Sequence, residues 1–298
     1  ARADQAAGRR LAGGLDDVTR PVYQGLPEGV IASFYVLIAL TLGTFFFGLG
    51  LRVRKFRSAH GRYPLRLGSL PRRIWSAFWV VAKHTTIGRD DLYVRLAHFL
   101  TFWGFATLFV ATVVLTIDYD LVRRFFPAGF WRGPFFLGYE LLADTGGVFL
   151  VAGVIMMMAR RWIIRPFRLR YARVDLAPDS YSRADYARGD ALFLFSLLAL
   201  ALSGLLLEGA RIAADPTTFA GFSYVGNQVA GLITGAGVGP AAAETLRAYL
   251  WWLHALASMA FVALLPFGKG VHMFLDIATL VLRDPVAGRR LPAPEPAR

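Results

Sequence analysis

Five runs of about twenty mostly apolar residues punctuate the chain, near positions 30–51, 94–117, 135–158, 191–213 and 247–267. Each is long enough, as a helix rising about 1.5 Å per residue, to cross roughly 30 Å of hydrocarbon. A backbone in lipid must satisfy its own hydrogen bonds, so the pattern predicts an all-α integral membrane bundle of five transmembrane helices. The first run follows a polar stretch and ends in arginines instead of a small-residue cleavage site, so it reads as a retained helix. Between the first two runs, Ile74 to Ala82 is apolar, rich in Trp and Phe, and too short to span. That composition predicts an interfacial helix near 74–84. Residues 1–27 read as a polar outer segment, 28–283 as one membrane domain without internal repeats, and 284–298 as an unstructured Pro-rich tail.

Charge orients the bundle. The 298 residues carry a formal net charge of +13, and its cations crowd two connections, 52–73 and 160–173, while 214–244 contains no Lys or Arg. The positive-inside rule then puts the N-terminus outside and the C-terminus in the cytoplasm. Anionic lipid headgroups and an acidic partner surface account for the basic loops without nucleic acid. With no cysteine in the chain, any iron-sulfur cluster must belong to a partner.

The candidate chemistry is imidazole. Of the histidines His60, His84, His98, His254 and His272, the last two lie in "YLWWLHALASMAFVALLPFGKGVHMFLD", eighteen residues apart. Five helical turns would set them on one face about 27 Å apart, with Pro266 and Gly268 bending or loosening the helix between them. No single metal ion is shared over that distance, whereas two stacked haems are, each held by imidazole. His98 in "VRLAHFLTFWGFATLF" offers a second ligand, and His84 lies fourteen residues earlier, with Gly88, Asp90 and Asp91 interrupting any continuous helix. Gly43, Gly48, Gly50 and Gly104 would admit either a macrocycle or a neighbouring helix. Interhelical hydrogen bonding is the alternative use of a histidine within a span.

"WWLHALASMAFVALLPFGKGVHMF" resembles the last membrane helix of the gamma subunit of respiratory nitrate reductase. "GRDDLYVRLAHFLTFWGFATLFVATVV" with "LLLEGARIAAD" is closer to the membrane part of heterodisulfide-reductase-like iron-sulfur oxidoreductases, a group that includes the electron-transfer-flavoprotein:menaquinone oxidoreductases. The resemblance covers all five spans. It implies a b-type cytochrome subunit of the prokaryotic inner membrane, binding one or two haems b. Such a subunit moves electrons between a cytoplasmic iron-sulfur protein and menaquinone or ubiquinone. His98, His254 and His272 fall on the family's ligand positions, but the second histidine expected ten residues after His98 is Leu108. Two pairings follow: His84 with His272 and His98 with His254, or His98 with His272 and His254 by itself. Many relatives continue into a cysteine-rich domain after the last helix, so the cluster protein is expected as a separate subunit or as another part of a divided product.

Quinone chemistry moves protons as well as electrons, and Glu140, Asp144, Glu208 and Arg211 are the titratable and charged candidates near the outer surface. Interfacial charges paired as Glu208 with Arg211 are the plain alternative. Lys269 is placed to meet a haem propionate or a lipid phosphate. From other classes, a haem-free anchor or transporter, or a hydrogenase- or formate-dehydrogenase-type cytochrome subunit, would carry the same spans.

Overall fold

The computed structural model describes residues 18–20, 22–23, 28–57, 69–84, 87, 91–166, 169, 183–217 and 219–282. The expected Pro-rich tail, His60 and most of the N-terminal segment lie outside these residues. The described chain is helical: α1 (Glu28–Arg57), α2 (Leu70–Ala82), α3 (Leu92–Thr116), α4 (Gly133–Ala159), α5 (Arg183–Ala214), α6 (Tyr224–Gly235), α7 (Pro240–Leu264) and α8 (His272–Leu282). Four segments are long and apolar enough to cross a membrane: Glu28–Lys55, Leu92–Phe125, Gly133–Ile164 and Ala187–Ala214. The fifth is the pair Pro240–Leu264 and Lys269–Leu282, bent by 68° at a short break.

The bend falls where Pro266 and Gly268 were expected to bend or loosen the helix, and at 68° it takes His254 and His272 off a shared helical face. Pro266 has no amide hydrogen and its ring clashes with the preceding turn, so α7 cannot run through it. Helix α1 then clamps the break. Arg52 Nε donates to the freed Pro266 carbonyl at 2.9 Å, and Gly48 lets Phe267 sit where a Cβ would be 2.6 Å from its ring. Beyond the bend, α8 packs along α2. Both are too short to span.

The spans form an arc. Helix α3 packs on α4, α4 on α5, α5 on α7 and α7 on α1; among the described residues no extended interface joins α3 to α7 or to α1. The tightest contact is α3 with α4. A Cβ on Gly104 would lie 2.8 Å from the Gly146 carbonyl oxygen, and one on Gly153 would lie 2.9 Å from that of Ala97. Gly104 therefore serves backbone-to-backbone helix packing, not the approach of a flat ligand. Gly43 and Gly50 face open space.

Local chemistry sets the helix ends. Asp91 caps α3, accepting from Val94 N at 3.1 Å, and meets Arg160 Nη1 at 2.9 Å. That capping amide, and then Arg160, hold its carboxyl below the usual carboxylate range. At the other end α3 widens into a π-turn, Ile117–Val122. The buried Asp118 there accepts from Phe130 N, Trp131 N and Arg123 Nε, pinning the following loop. Gly129, at φ +64, sits against that carboxylate where a side chain would collide with it. Helix α6 occupies the tip between α5 and α7, a region for which no helix was expected.

Candidate functional site

Histidines gather at the end of the bundle where α2, the start of α3 and the α7 bend meet. His84 follows α2 with φ +51, a left-handed conformation that turns the chain back toward α3. Trp103 Nε1 donates to the Ala82 carbonyl at 3.2 Å and ties the end of α2 to α3. The fold-back brings the His84 ring edge-on to His98, centroids 4.9 Å apart, with Phe102 at 5.0 Å. His84 is buried, and burial pushes its imidazole below the usual range, which keeps it neutral. The fourteen-residue spacing thus becomes a contact through a reversed connection rather than through a shared helical face.

His98 lies within electrostatic range of both His84 and His272. Its buried Nδ1 has no hydrogen-bond partner. His272 stands on the far side of the α7 bend, with Nδ1 2.6 Å from the Lys269 carbonyl. A carbonyl only accepts, so Nδ1 carries a proton and is held by this contact.

His254 is elsewhere. Its Nδ1 lies 2.9 Å from Ser203 Oγ on α5, and the Ser203 hydroxyl proton is given to the Leu200 carbonyl at 3.1 Å. Ser203 thereby orients the His254 ring through Nδ1. Gly204 leaves room for the ring: a Cβ there would be 3.3 Å from His254 Cε1. Between the two histidine levels, Phe105 of α3 meets Phe261 of α7 at 5.9 Å, and Phe193 of α5 stacks on Phe261. His98 and His254 are each seven residues from that aromatic layer, on opposite sides of it because α3 and α7 run antiparallel. Two steps of about 10 Å separate them along the bundle. They cannot ligate one iron, which removes the pairing of His98 with His254.

Imidazole is held by neighbouring polar groups at each level. Asp190 of α5 accepts from Lys269 Nζ and pairs with Arg161. Lys269, expected at a haem propionate or lipid phosphate, is thus tied to a carboxylate, and its own carbonyl orients His272. Asp190→Ala is expected to loosen this turn. A lowered melting temperature in detergent would register it; unchanged melting would show that Asp190 does not hold the turn.

The opposite end carries the four charged candidates. Glu208 accepts from Arg20 Nη1 at 2.5 Å and from Arg211 Nε and Nη2 at 3.0 and 2.5 Å. Glu140 is buried, 5% exposed, and accepts from Ser223 Oγ at 2.7 Å. Asp144, on the same face of α4, accepts from the first amides of α6, Val225 N at 2.5 Å and Gly226 N at 3.4 Å. Its role here is to seat α6 on α4. Ser203 and Glu208 are five residues apart on α5, so this cluster begins about 7.5 Å beyond the His254 level.

Sequence reasoning missed Arg20, Ser203, Asp190 and Ser223. Arg20 sits in a polar segment with no periodicity, Asp190 and Ser223 lie outside the apolar runs without any motif, and Ser203 lies within one. Only the small-residue pair Ser203–Gly204 within a span hinted at a close approach.

Among the described residues no group of three or more His, Asp or Glu could hold a bare metal ion. A porphyrin supplies four of its iron's ligands and asks only one or two imidazoles of the protein. The residues fit that demand: imidazoles held at one nitrogen by Ser203 and by the Lys269 carbonyl, an unpartnered buried His98 Nδ1, and aromatic contact between α3 and α7. His84 and His98 do not flank one iron as they stand. Metal–imidazole bonds of about 2 Å would hold the two ring centroids about 6 Å apart.

The fold and site define a multi-pass helical membrane protein with imidazoles at two depths and a buried charge cluster beside one of them. In sequence the chain is similar to the EtfAB:quinone oxidoreductase of Syntrophomonas wolfei, with 27% identity over 282 residues. The match takes in 92% of this chain and 36% of that protein, so the chain spans about a third of its relative's length. No protein-family model and no solved structure matches.

Proposed function

We propose that the chain is a b-type cytochrome membrane subunit that passes electrons between a cytoplasmic iron-sulfur protein and the membrane quinone pool. The observation that carries this reading is that His254 and His272, within or at the edge of a span, are each held by a polar neighbour at Nδ1. A metal-ligating imidazole is oriented in this way through one nitrogen while the other meets the metal. Similarity to a protein named for EtfAB and quinone supports the electron-transfer role.

In this reading His98 and His272 hold one haem b, with His84 packed against His98, and His254 holds a second. When bound, haem supplies reversible one-electron transfer at a potential tuned by its ligands and surroundings. The rest is done by the chain. Ser203 and the Lys269 carbonyl fix ring orientation, and the Phe105, Phe193 and Phe261 layer excludes water between the two levels. Glu140, Glu208 and Arg211 serve the quinone headgroup at the end beyond His254, with Asp144 holding α6 over them. The basic connections then face the cytoplasm, and α2 with α8 lie in that interface near the partner. This topology follows from the charge distribution.

Reduced-minus-oxidised difference spectra of the purified, haem-supplied chain test the reading. A b-type absorbance band that is reoxidised on adding a quinone analogue is expected. Absence of any such band would leave a haem-free bundle whose histidines only bridge helices.

A further inference from the structure

We infer that Glu140 holds an exchangeable proton in a buried site that Arg20 of the N-terminal segment closes. The charge cluster contains two guanidiniums and two carboxylates, but their hydrogen bonds are divided unequally. Glu208 takes three N–H contacts, one from Arg20 and two from the Nε–Nη2 edge of Arg211. Glu140 receives one hydrogen bond, from the Ser223 hydroxyl. Arg20 Nη1 is 3.3 Å and Arg211 Nη2 3.7 Å away, as ion-pair neighbours only. Glu140 Oε1 is buried without a hydrogen-bond partner.

An ionised carboxylate has about four lone-pair positions to satisfy, and one bond does not satisfy them in a site sealed from water. Arg20 Nη1 stands between the two carboxylates, 2.5 Å from Glu208 Oε2 and 3.3 Å from Glu140 Oε1. Two carboxylates drawn to one nitrogen repel each other unless one carries a proton. Because Glu208 is already saturated by cations, the proton belongs on Glu140 Oε1. The remaining groups around it are accounted for: Tyr139 is its neighbour on α4, Ser223 is its donor, and Asp144 is committed to the α6 amides.

Arg20 is the residue through which the site meets solvent. Its side chain is 23% exposed, against 6% for Glu140. The strap that brings it in is bonded down, with Val18 O accepting from Gly133 N at 2.7 Å and Thr19 Oγ1 donating to Trp131 O at 2.9 Å. Its guanidinium lies over the Trp131 ring at 5.3 Å. Arg20 thus acts as a positioning residue: swinging away, it would admit water to Glu140 and withdraw the nearest cation. The proton step is reversible. The Oε1–H bond breaks as an oxygen of water or of the quinone headgroup gains the proton, and no electron moves. Only the quinone destination rests on the reading given under Proposed function.

Infrared difference spectra of the full-length chain, recorded through a pH titration, test this. The wild type should show the carbonyl stretch of a protonated carboxylic acid, and Glu140→Gln should lose it. Glu140→Asp should restore a band if the glutamine variant fails to fold. In Arg20→Gln the band should persist to higher pH, its midpoint raised by about one pH unit through loss of the nearest cation. A wild type without the band, a band that survives Glu140→Gln in a folded protein, or a midpoint indifferent to Arg20 would overturn the assignment. Haem absorbance in the same samples keeps the two readings apart. An intact acid band without haem would fell the electron-transfer reading alone, and haem without the band would fell the proton site alone.

Discussion

On the proposed reading of one haem held by His98 and His272 and another by His254, His272→Ala is expected to strip the first while the second remains, so that haem per protein falls by half in a fully loaded preparation. The expectation follows from ligation by only one or two imidazoles per iron: deleting one removes a metal bond that nothing nearby replaces. His84, the one imidazole in contact with His98, approaches it edge-on at 4.9 Å and would need a large ring movement to face the same iron. His98→Ala should cause the same loss, and the double variant no more than either single one, because both act on a single site. His254→Ala should remove the other haem, and combined with His272→Ala should leave none. Haemochrome absorbance per unit protein measures all five variants. Unchanged haem content in folded His272→Ala would end the assignment of a ligand to the α7 bend.

Gly104→Leu should separate α3 from α4 and abolish stable assembly of the bundle. A branched side chain there meets the Gly146 carbonyl and the Leu150 backbone, and main chain cannot move aside as a flexible side chain would. Overpacking a tight interior typically costs about 1–3 kcal/mol, and a helix-on-helix seam built from glycines lies at the upper end or beyond. The displacement would also part Phe105 from Phe261, so haem retention should fall with stability. Gly43→Leu supplies the contrast, since nothing approaches within 4 Å of a Cβ at that position. Thermal melting in detergent should show a large drop for the first and almost none for the second. Equal behaviour would mean that the α3–α4 seam is not where the bundle is held.

Particular residues show how far each level reaches. The spans could be read directly, because roughly twenty apolar residues have few fates other than crossing hydrocarbon. The short apolar stretch Ile74–Ala82 falls within α2, Leu70–Ala82, which leaves Trp75, Phe78 and Trp79 exposed. The ion pair of Glu208 with Arg211 was also open to reading, three residues apart on one helix. Glu140 as their neighbour was not, since it arrives from α4, and Arg20 arrives from a segment with no pattern at all.

The histidines divide in the same way. Apolar periodicity alone determined that His98 and His254 lie within helices of a membrane bundle, because that property depends on transfer of side chains out of water, residue by residue. Tertiary structure decided which imidazoles meet. A proline break turned the final span by 68° and a left-handed residue reversed the chain at His84. An antiparallel packing then placed His254 about 20 Å from His98. Those outcomes depend on which backbones can approach and which carbonyls need a donor. Such conditions exist only once the helices are side by side.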